Sequence, residues 1–384
     1  MTLTAAVGHA QALDGREAGL QATHHALNHL GASAPNFGIV IASHKYQPRE
    51  VAAGVTSLTG DMPLIGFSTP AGLTHEGVHP QSVVVALLSG DLRAEVHWLP
   101  GYSQSGRETA NRLAQLTSSE AARQSLLFFA DGFNGDAEQL CNSLPGKSAL
   151  ILGGLSSGDL QTGSNYQIAG TQAGTGGLAA AILRGAARVG VGFAHGWDPV
   201  GSQMRVTRSR GFWLRTLVAR PASETYAQIF GYPARDWAFP PLNTLTRLYP
   251  LGVEQGEKLI VRSPLRVEAD GSFRMNATIR DGLDAYLLVG SRASCQAAAQ
   301  KAAQQALMQL DEAKPVFALV LVDIAWQMLL KSTPGAEITA VQDILGPNVP
   351  IAGGYTLGQI APFKGAPQFL NQHIVVIVFG EEQN

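Results

Sequence analysis

The sequence predicts an α/β protein, a layered αββα-type sandwich of mixed sheets with helices outside, built from three αβαββ-like repeats. Three observations predict it. Continuous apolar runs mark strands covered on both faces rather than one. Amphipathic stretches of helical period alternate with those runs, which calls for sheets sandwiched between helical layers. One strand-to-loop transition is written three times, as "PLIGFST" (63–69), "LILGGLSS" (150–157) and "PIAGGYT" (350–356).

In the first repeat, a helix over 14–30 has Asp14 as N-cap and Gly31 just past its end. The strand "NFGIVIAS" (36–43), a helix over 48–58, the strand ending in the glycine motif and the run "SVVVALLSG" (82–90) follow. The second repeat shows the same order: a helix over 104–117, "SLLFFAD" (125–131), a helix over 135–143, the glycine motif and "GLAAAILRG" (177–185). The third has an alanine- and glutamine-rich helix over 291–311, composed of strong helix formers. "PVFALVLVD" (315–323), a helix over 335–344, the last glycine motif and "HIVVIVFG" (373–380) complete it. Segments 189–230 and 246–290 depart from the pattern, and a turn at Ala269–Gly271 joins two antiparallel strands there. The prolines of "RDWAFPPLN" (235–243) place a domain boundary, giving domains 1–235 and 236–384.

Bulk properties narrow the function. A chain of 384 residues with 45% hydrophobic and 15% charged residues has ample material for a large core. Its 43 glycines exceed the ~7% average and, lacking a collagen period, mark tight turns and close backbone approaches. A net charge of −2 without a basic block argues against nucleic acid or an anionic membrane surface as partner. Cys141 and Cys295 have no CxxC neighbour, so neither a disulfide framework nor a structural zinc site is expected. The N-terminus lacks the flanks of a signal peptide, and no stretch reaches the ~18 apolar residues of a membrane span. A cytoplasmic protein is expected.

The chemistry concentrates at the glycine motifs. A strand ending in Gly-Gly or Gly-Phe before Ser or Thr exposes backbone N–H groups and a hydroxyl where loops diverge, the usual ligand position of open α/β sheets. "GLSSG" (154–158) matches the nucleophile-elbow spacing around Ser156, but that elbow requires a helix after the serine and "DLQTGSNYQIAG" has no helical period. "LPGKS" (144–148) and "GTGG" (174–177) each run into a strand, which excludes phosphate-loop and dinucleotide readings. No catalytic set is complete, so no enzyme is expected, a serine hydrolase at Ser156 being the remote alternative. His25 and His29 lie four apart without a third ligand and read as surface residues. His44, His195 and His373 sit at strand boundaries, where each is either an ordinary hydrogen-bonded imidazole or a haem ligand. In "AHGWDPVGSQMRVTRSRG" (194–211), Gly196, Trp197, Pro199 and Gly201 suggest a rigid turn with Trp197 flooring a pocket. Arg205 and Arg208 are of the type that holds a carboxylate through paired hydrogen bonds.

The ordered motifs "PLIGFSTPAG", "GGLSSGDL", "AHGWDPVG…VTRSRG", "YPLGV" and "GGYTLGQIAPF…NQHIVVIVFG" resemble those of the FIST sensory domain family, N-terminal and C-terminal portions, from about residue 36 to the C-terminus. The resemblance implies a bacterial intracellular sensor that binds a small ligand, an amino acid or similar metabolite, and signals through a separate partner protein. It also implies an alternative: a haem-binding nitric oxide sensor that regulates a histidine kinase or a cyclic-di-GMP enzyme. Motif and resemblance together nominate Ser68, Thr69, Ser156, Asp159, Trp197, Arg205, Asp323, Tyr355, Gln359 and Asn371 as ligand-binding. The chain departs from the family at Asp323 and Trp326, where a cysteine and an arginine are usual. It departs again at Gly358-Gln359, in place of Gly-Glu, and at Leu370–His373, in place of His-Asn-Gln-Thr. An aspartate at 323 facing the pocket would favour a cationic or amine-bearing ligand.

Overall fold

Strands buried on both faces need cover from two sides, and the chain supplies it by repeating one unit. A computed structural model of the chain describes residues 2–117, 124–145, 149–255 and 258–382; residues 146–148 of "LPGKS" lie outside them. The first repeat runs β1 (Thr4–Ala10), α1 (Gly15–Leu30), β2 (Phe37–Ser43), α2 (Pro48–Thr59) and β3 (Leu64–Thr69), then a hairpin of β4 (Ala71–Thr74) and β5 (Gly77–Pro80), then β6 (Val83–Ser89). The second has the same order: β7 (Leu92–Leu99), α3 (Gly106–Leu116), β8 (Gln124–Asp131), α4 (Ala137–Ser143), β9 (Leu150–Ser156), the hairpin β10 (Gln167–Ala169) and β11 (Gln172–Gly174), and β12 (Leu178–Gly185).

The third repeat opens with β13 (Arg188–Ala194) and is then interrupted. The insertion contains β14 (Trp197–Arg210), β15 (Trp213–Leu217), β16 (Arg220–Pro221), α5 (Ala222–Phe230), α6 (Leu242–Leu245), β17 (Leu251–Gln255), β18 (Lys258–Arg262), β19 (Pro264–Val267), β20 (Phe273–Met275) and β21 (Asp284–Gly290). The repeat resumes with α7 (Arg292–Leu310), β22 (Lys314–Asp323), α8 (Ile324–Leu329), α9 (Ala336–Leu345) and β23 (Ile351–Thr356). The hairpin β24 (Gln359–Phe363) and β25 (Ala366–Leu370) and the closing β26 (Ile374–Glu381) complete it. Two compact units result: Met1–Ala194 with Gln296–Asn384, and His195–Cys295. The proline-rich segment 235–243 lies inside the second unit, where Trp237 is buried.

The larger unit is an α/β sandwich of three mixed sheets, ordered β1-β6-β2-β3-β10-β11, β7-β12-β8-β9-β24-β25 and β13-β26-β22-β23-β4-β5. Each sheet takes four strands from one repeat and its last two from the hairpin of another. The first repeat's hairpin completes the third sheet, the second's completes the first, and the third's completes the second. The exchange closes in a cycle. Residues of all three sheets share one inner core, including Ile41, Phe67, Phe129, Leu152, Leu321 and Ile377. Helices cover the outer faces: α1 and α2 bury Ala18, Ala22, Val51 and Val55 against the outer side chains of β2 and β6, such as Val40 and Val85. The three helix–strand–helix–strand runs are those expected from the sequence, whereas the hairpins occupy segments expected to be loops, and the leading strands β1 and β7 have no counterpart among the expected elements.

Asp14 caps α1 by accepting from the Glu17 amide at 2.8 Å, and Ser105 and Asp136 cap α3 and α4 in the same way. Gly66, Gly153 and Gly353 are equivalent, each paired in parallel register with Val40, Phe128 or Val320. A Cβ at these glycines would lie 2.5, 2.0 and 2.3 Å from the carbonyl oxygen of that partner. The glycine in each motif therefore permits a close approach of parallel strands.

The second unit is antiparallel throughout its described pairs. The predicted turn at Ala269–Gly271 joins β19 and β20, which pair antiparallel. The expected rigid turn at 196–201 is instead the start of β14, which pairs with β21 and slips register between Val200 and Met204. Tyr226 anchors this unit's core, edge-on to Trp237 and Phe273, with its hydroxyl donating to the Tyr249 carbonyl at 2.7 Å.

Candidate ligand-binding site

The parallel pairs β2/β3, β8/β9 and β22/β23 end in register at Ser43 and Thr69, Asp131 and Ser156, and Asp323 and Thr356. These three exits meet. Ser68 Oγ donates to the Ser157 carbonyl at 2.8 Å and accepts from the Tyr166 amide at 2.8 Å. The Thr69 hydroxyl lies 3.1 Å from the Tyr355 carbonyl and accepts from the Tyr355 amide at 2.9 Å. Ser157 Oγ donates to the same Tyr355 carbonyl at 2.5 Å. Main-chain bonds from Ser157 to Ser68, from Leu155 to Gly358 and from Leu357 to Leu155 join the loops. Of the predicted residues, Ser68, Thr69 and Tyr355 are therefore brought together, and Ser156 stands beside them.

Their polar groups are already engaged by the protein. Ser156 Oγ is buried within reach of the Ala130 carbonyl (2.9 Å), Asn165 Oδ1 (2.7 Å) and Gln167 Nε2 (2.5 Å). None of these partners is a general base, and no helix follows Ser156 before β10. Asp131 accepts from the Phe133, Asn134 and Gly176 amides and from Asn165 Nδ2, fastening the second exit. Asp323 does the same for the third: it caps α8 through the Ala325 amide (3.0 Å) and accepts from the Gln372 amide (3.0 Å). Its carboxylate thus answers backbone donors at the turn into α8 and in the turn between β25 and β26. Gln359 Nε2 donates to Thr356 Oγ1 at 2.8 Å and its Oε1 accepts from the His373 amide at 3.2 Å. The Asn371 carbonyl lies 2.6 Å from His373 Nδ1. Asp323, Gln359 and Asn371 form this second cluster.

His44 and Asp159 at the exits are only partly committed to the fold. His44, the residue after β2, is half-buried, and its Nδ1 is buried without a hydrogen-bond partner. Burial lowers its pKa, opposed by the Thr69 backbone and by Asp159. Asp159 is accessible, and its carboxylate is held low by the Gln161 amide and the Thr162 hydroxyl. A Cβ at Gly158 would lie 2.6 Å from His44 Cβ, so the second repeat's loop lies directly on this imidazole. Trp197 and Arg205 belong to the other unit. Trp197 is buried there, with Nε1 3.4 Å from the Leu248 carbonyl. Arg205 does bind a carboxylate, that of Asp284, at 3.0 Å on the surface. His25 and His29 hold β1 through the carbonyls of His9 and Val7.

Sequence reasoning missed Ser157, Asn165, Gln167 and Glu337, which complete the hydrogen bonding around the exits. Gln167 and Glu337 are signalled only as polar residues inside a short strand and a helix, and Ser157 and Asn165, in the loop between β9 and β10, carry no signal that sets them apart from ordinary loop residues. Glu337 is wholly buried on α9, with Oε1 2.6 Å from the Tyr355 hydroxyl and Oε2 unpartnered. A separate cleft of about 530 Å³, lined by Trp98, Arg112 and Gln172 among others, includes none of the ten predicted residues.

A family model of the FIST N domain matches residues 36–220, and one of the FIST C domain matches residues 222–362. The chain belongs to the FIST family. FIST domains are associated with sensing in signal transduction. The FIST N match takes in β2 through β15, so it contains the first two strand exits, and the third falls in the FIST C match. No curated protein matches the chain. Among solved structures, the cyanuric acid hydrolase of A. caulinodans is similar at 11% identity and a TM-score of 0.27, over 48% of this chain and 71% of that one. The T. maritima PurL complexed with FGAR is similar at 10% identity and a TM-score of 0.26, over 98% of this chain and 72% of that one. Among the described residues, no helix is long and apolar enough to cross a membrane.

Proposed function

We propose that this FIST protein is a non-enzymatic sensor that takes a small metabolite, an amino acid or a molecule like it, at the joined strand exits and passes the signal to a separate protein. The observation that carries this reading is the convergence of all three parallel strand pairs at their carboxyl ends, the position where diverging loops of α/β sheets receive ligands. His44 and Asp159 are the receiving groups, since the buried hydroxyls are committed to the fold. An imidazole beside a carboxylate suits a ligand with both an acceptor and an amine. The partner is a signalling enzyme of the histidine kinase or cyclic-di-GMP class. Ser156, held by three partners that cannot activate it, supports a non-catalytic role.

Isothermal titration of the full chain against the amino acids and common small metabolites tests the proposal. Heat from at least one ligand is expected, with His44→Ala and Asp159→Asn each weakening it about tenfold, the order of one charge-assisted hydrogen bond. No heat from any of them overturns the reading.

A second reading, haem-based gas sensing, is favoured by one observation: the Nδ1 of His44, at a strand exit, has no hydrogen-bond partner in the protein. His44 would be the residue holding the iron, and the haem would supply the gas-binding centre. His373 is committed to the Asn371 carbonyl and fits less well. A Soret band after haem reconstitution that disappears in His44→Ala supports this reading, and its absence from the wild-type chain removes it.

A further inference from the structure

The leading strand of every repeat carries an equivalent residue at the seam between sheets. His9, Trp98 and Phe193 each pair with the second residue of the closing strand, Val84, Ala179 and Val375 respectively. In the second repeat the seam is filled by an indole: a Cβ at Gly177 would lie 2.5 Å from the Trp98 ring, and one at Gly174 3.6 Å. In the third, the Phe193 ring lies 6.1 Å from that of His373. Packing alone is thus met by aromatic rings. The first repeat places different chemistry at the same position.

There the His9 ring stacks on His79 of β5 with centroids 3.9 Å apart, and Glu76, in the β4–β5 turn, brings Oε2 to 3.6 Å from His9 Nε2. One donor atom from each of the three residues lies within 4.8 Å of the others. Thr74 Oγ1 lies 2.8 Å from His79 Nε2 and orients that ring, and His25 Nδ1 lies 3.0 Å from the His9 carbonyl and holds the backbone there. We propose that His9, Glu76 and His79 form a binding site for a divalent transition metal of the zinc type, clamping the β4–β5 hairpin to β1. Two imidazoles and a carboxylate are a ligand set for such ions, and three protein ligands leave a fourth position for water. Bonds of ~2.1 Å put tetrahedral ligands about 3.4 Å apart, so the donor atoms, within 4.8 Å of one another, must draw together and the stacked rings must turn to aim their nitrogens at the ion. Because β1 belongs to the first sheet and β5 to the third, the ion would join two repeats across the ring of exchanged hairpins. Glu76 and His79 fall in "HEGVH" (75–79), a formal H-E-x-x-H match that lies on a β-hairpin rather than a helix, and only the fold brings His9 to them.

The test uses the untagged full chain with Zn²⁺ and, for its visible absorption, Co²⁺. One equivalent of metal, a raised thermal midpoint and a Co²⁺ spectrum of low coordination number are expected. His9→Phe, which copies the aromatic plug of the third repeat and keeps the seam packed, removes one ligand, as does Glu76→Gln. Changes in the shell around metal ligands cost about 10–100-fold in affinity, so loss of a ligand should weaken binding at least about tenfold and abolish the thermal shift. Unchanged affinity in both variants, which would place the ion at the α1 histidines, overturns the proposal. So does failure of the wild-type chain to take up metal at micromolar concentration.

Discussion

Glu337 illustrates how a single residue links the fold to solution conditions. Its carboxyl is buried on α9, one oxygen bonded to the Tyr355 hydroxyl and the other without a partner. Desolvation raises its pKa, against the pull of the Tyr355 hydrogen bond. The folded state therefore holds this proton more tightly than the unfolded chain. Its contribution to stability is complete below the ordinary glutamate pKa and is lost as pH rises through the elevated folded value. Glu337→Gln keeps the acceptor for Tyr355 and cannot ionise, so its denaturation midpoint should gain on the wild type as pH rises from the acid range to neutrality. A constant gap across that range would show that Glu337 titrates normally. At this scale the sequence was informative about residue type and poor about direction. It marked Ser68, Thr69, Ser156 and Asp323 correctly as polar residues at strand ends. That their polar atoms answer backbone groups of other loops depends on partners up to 286 residues distant, as for Thr69 and Tyr355.

At the scale of the strand, the glycine motif has two parts with different consequences. Gly153 faces the Phe128 carbonyl, where a Cβ would be 2.0 Å away, whereas one at Gly154 would first meet side-chain atoms of Leu321 and Thr356 at 3.3 Å. Backbone cannot yield as side chains do, so Gly153→Ala should cost about 3 kcal/mol, the upper range of overpacking, and Gly154→Ala clearly less. Denaturant unfolding measures both, and equal losses would contradict the close-approach account. The repeated motif was legible because this need recurs in every parallel pair. The hairpins were not, since β10 and β11 are three residues each and lack an apolar run. Their strand character comes from pairing with a sheet edge that another repeat presents.

For the larger unit, the cyclic exchange of hairpins makes the repeats interdependent. Ile168 of the second repeat is buried opposite Gly66 of the first. Ile168→Ala, expected to cost about 2–5 kcal/mol, should raise hydrogen exchange in β3 and β2 as well as in β10. A change confined to residues 167–174 would show that the hairpin is only an appendage. The same topology brings the three exits together, and with them His44 and the loop carrying Asp159. It also sets β1 beside β5, where His9 meets His79. Residue 235, where the sequence places a boundary, lies inside the compact insertion His195–Cys295, which begins after β13 has joined the third sheet.

The sequence alone determined the class of the fold, the threefold repetition and the family. Periodicity, helix caps and the glycine motif are local requirements, and each must be written where it acts. The exchange of hairpins, the commitment of the buried hydroxyls, the meeting of the strand exits that carry His44 and Asp159, and the stacking of His9 on His79 were decided only by the tertiary structure. Those features arise from contacts between segments far apart in the chain, and a hydrogen-bonding or ligating residue looks the same in sequence whichever partner the fold brings to it.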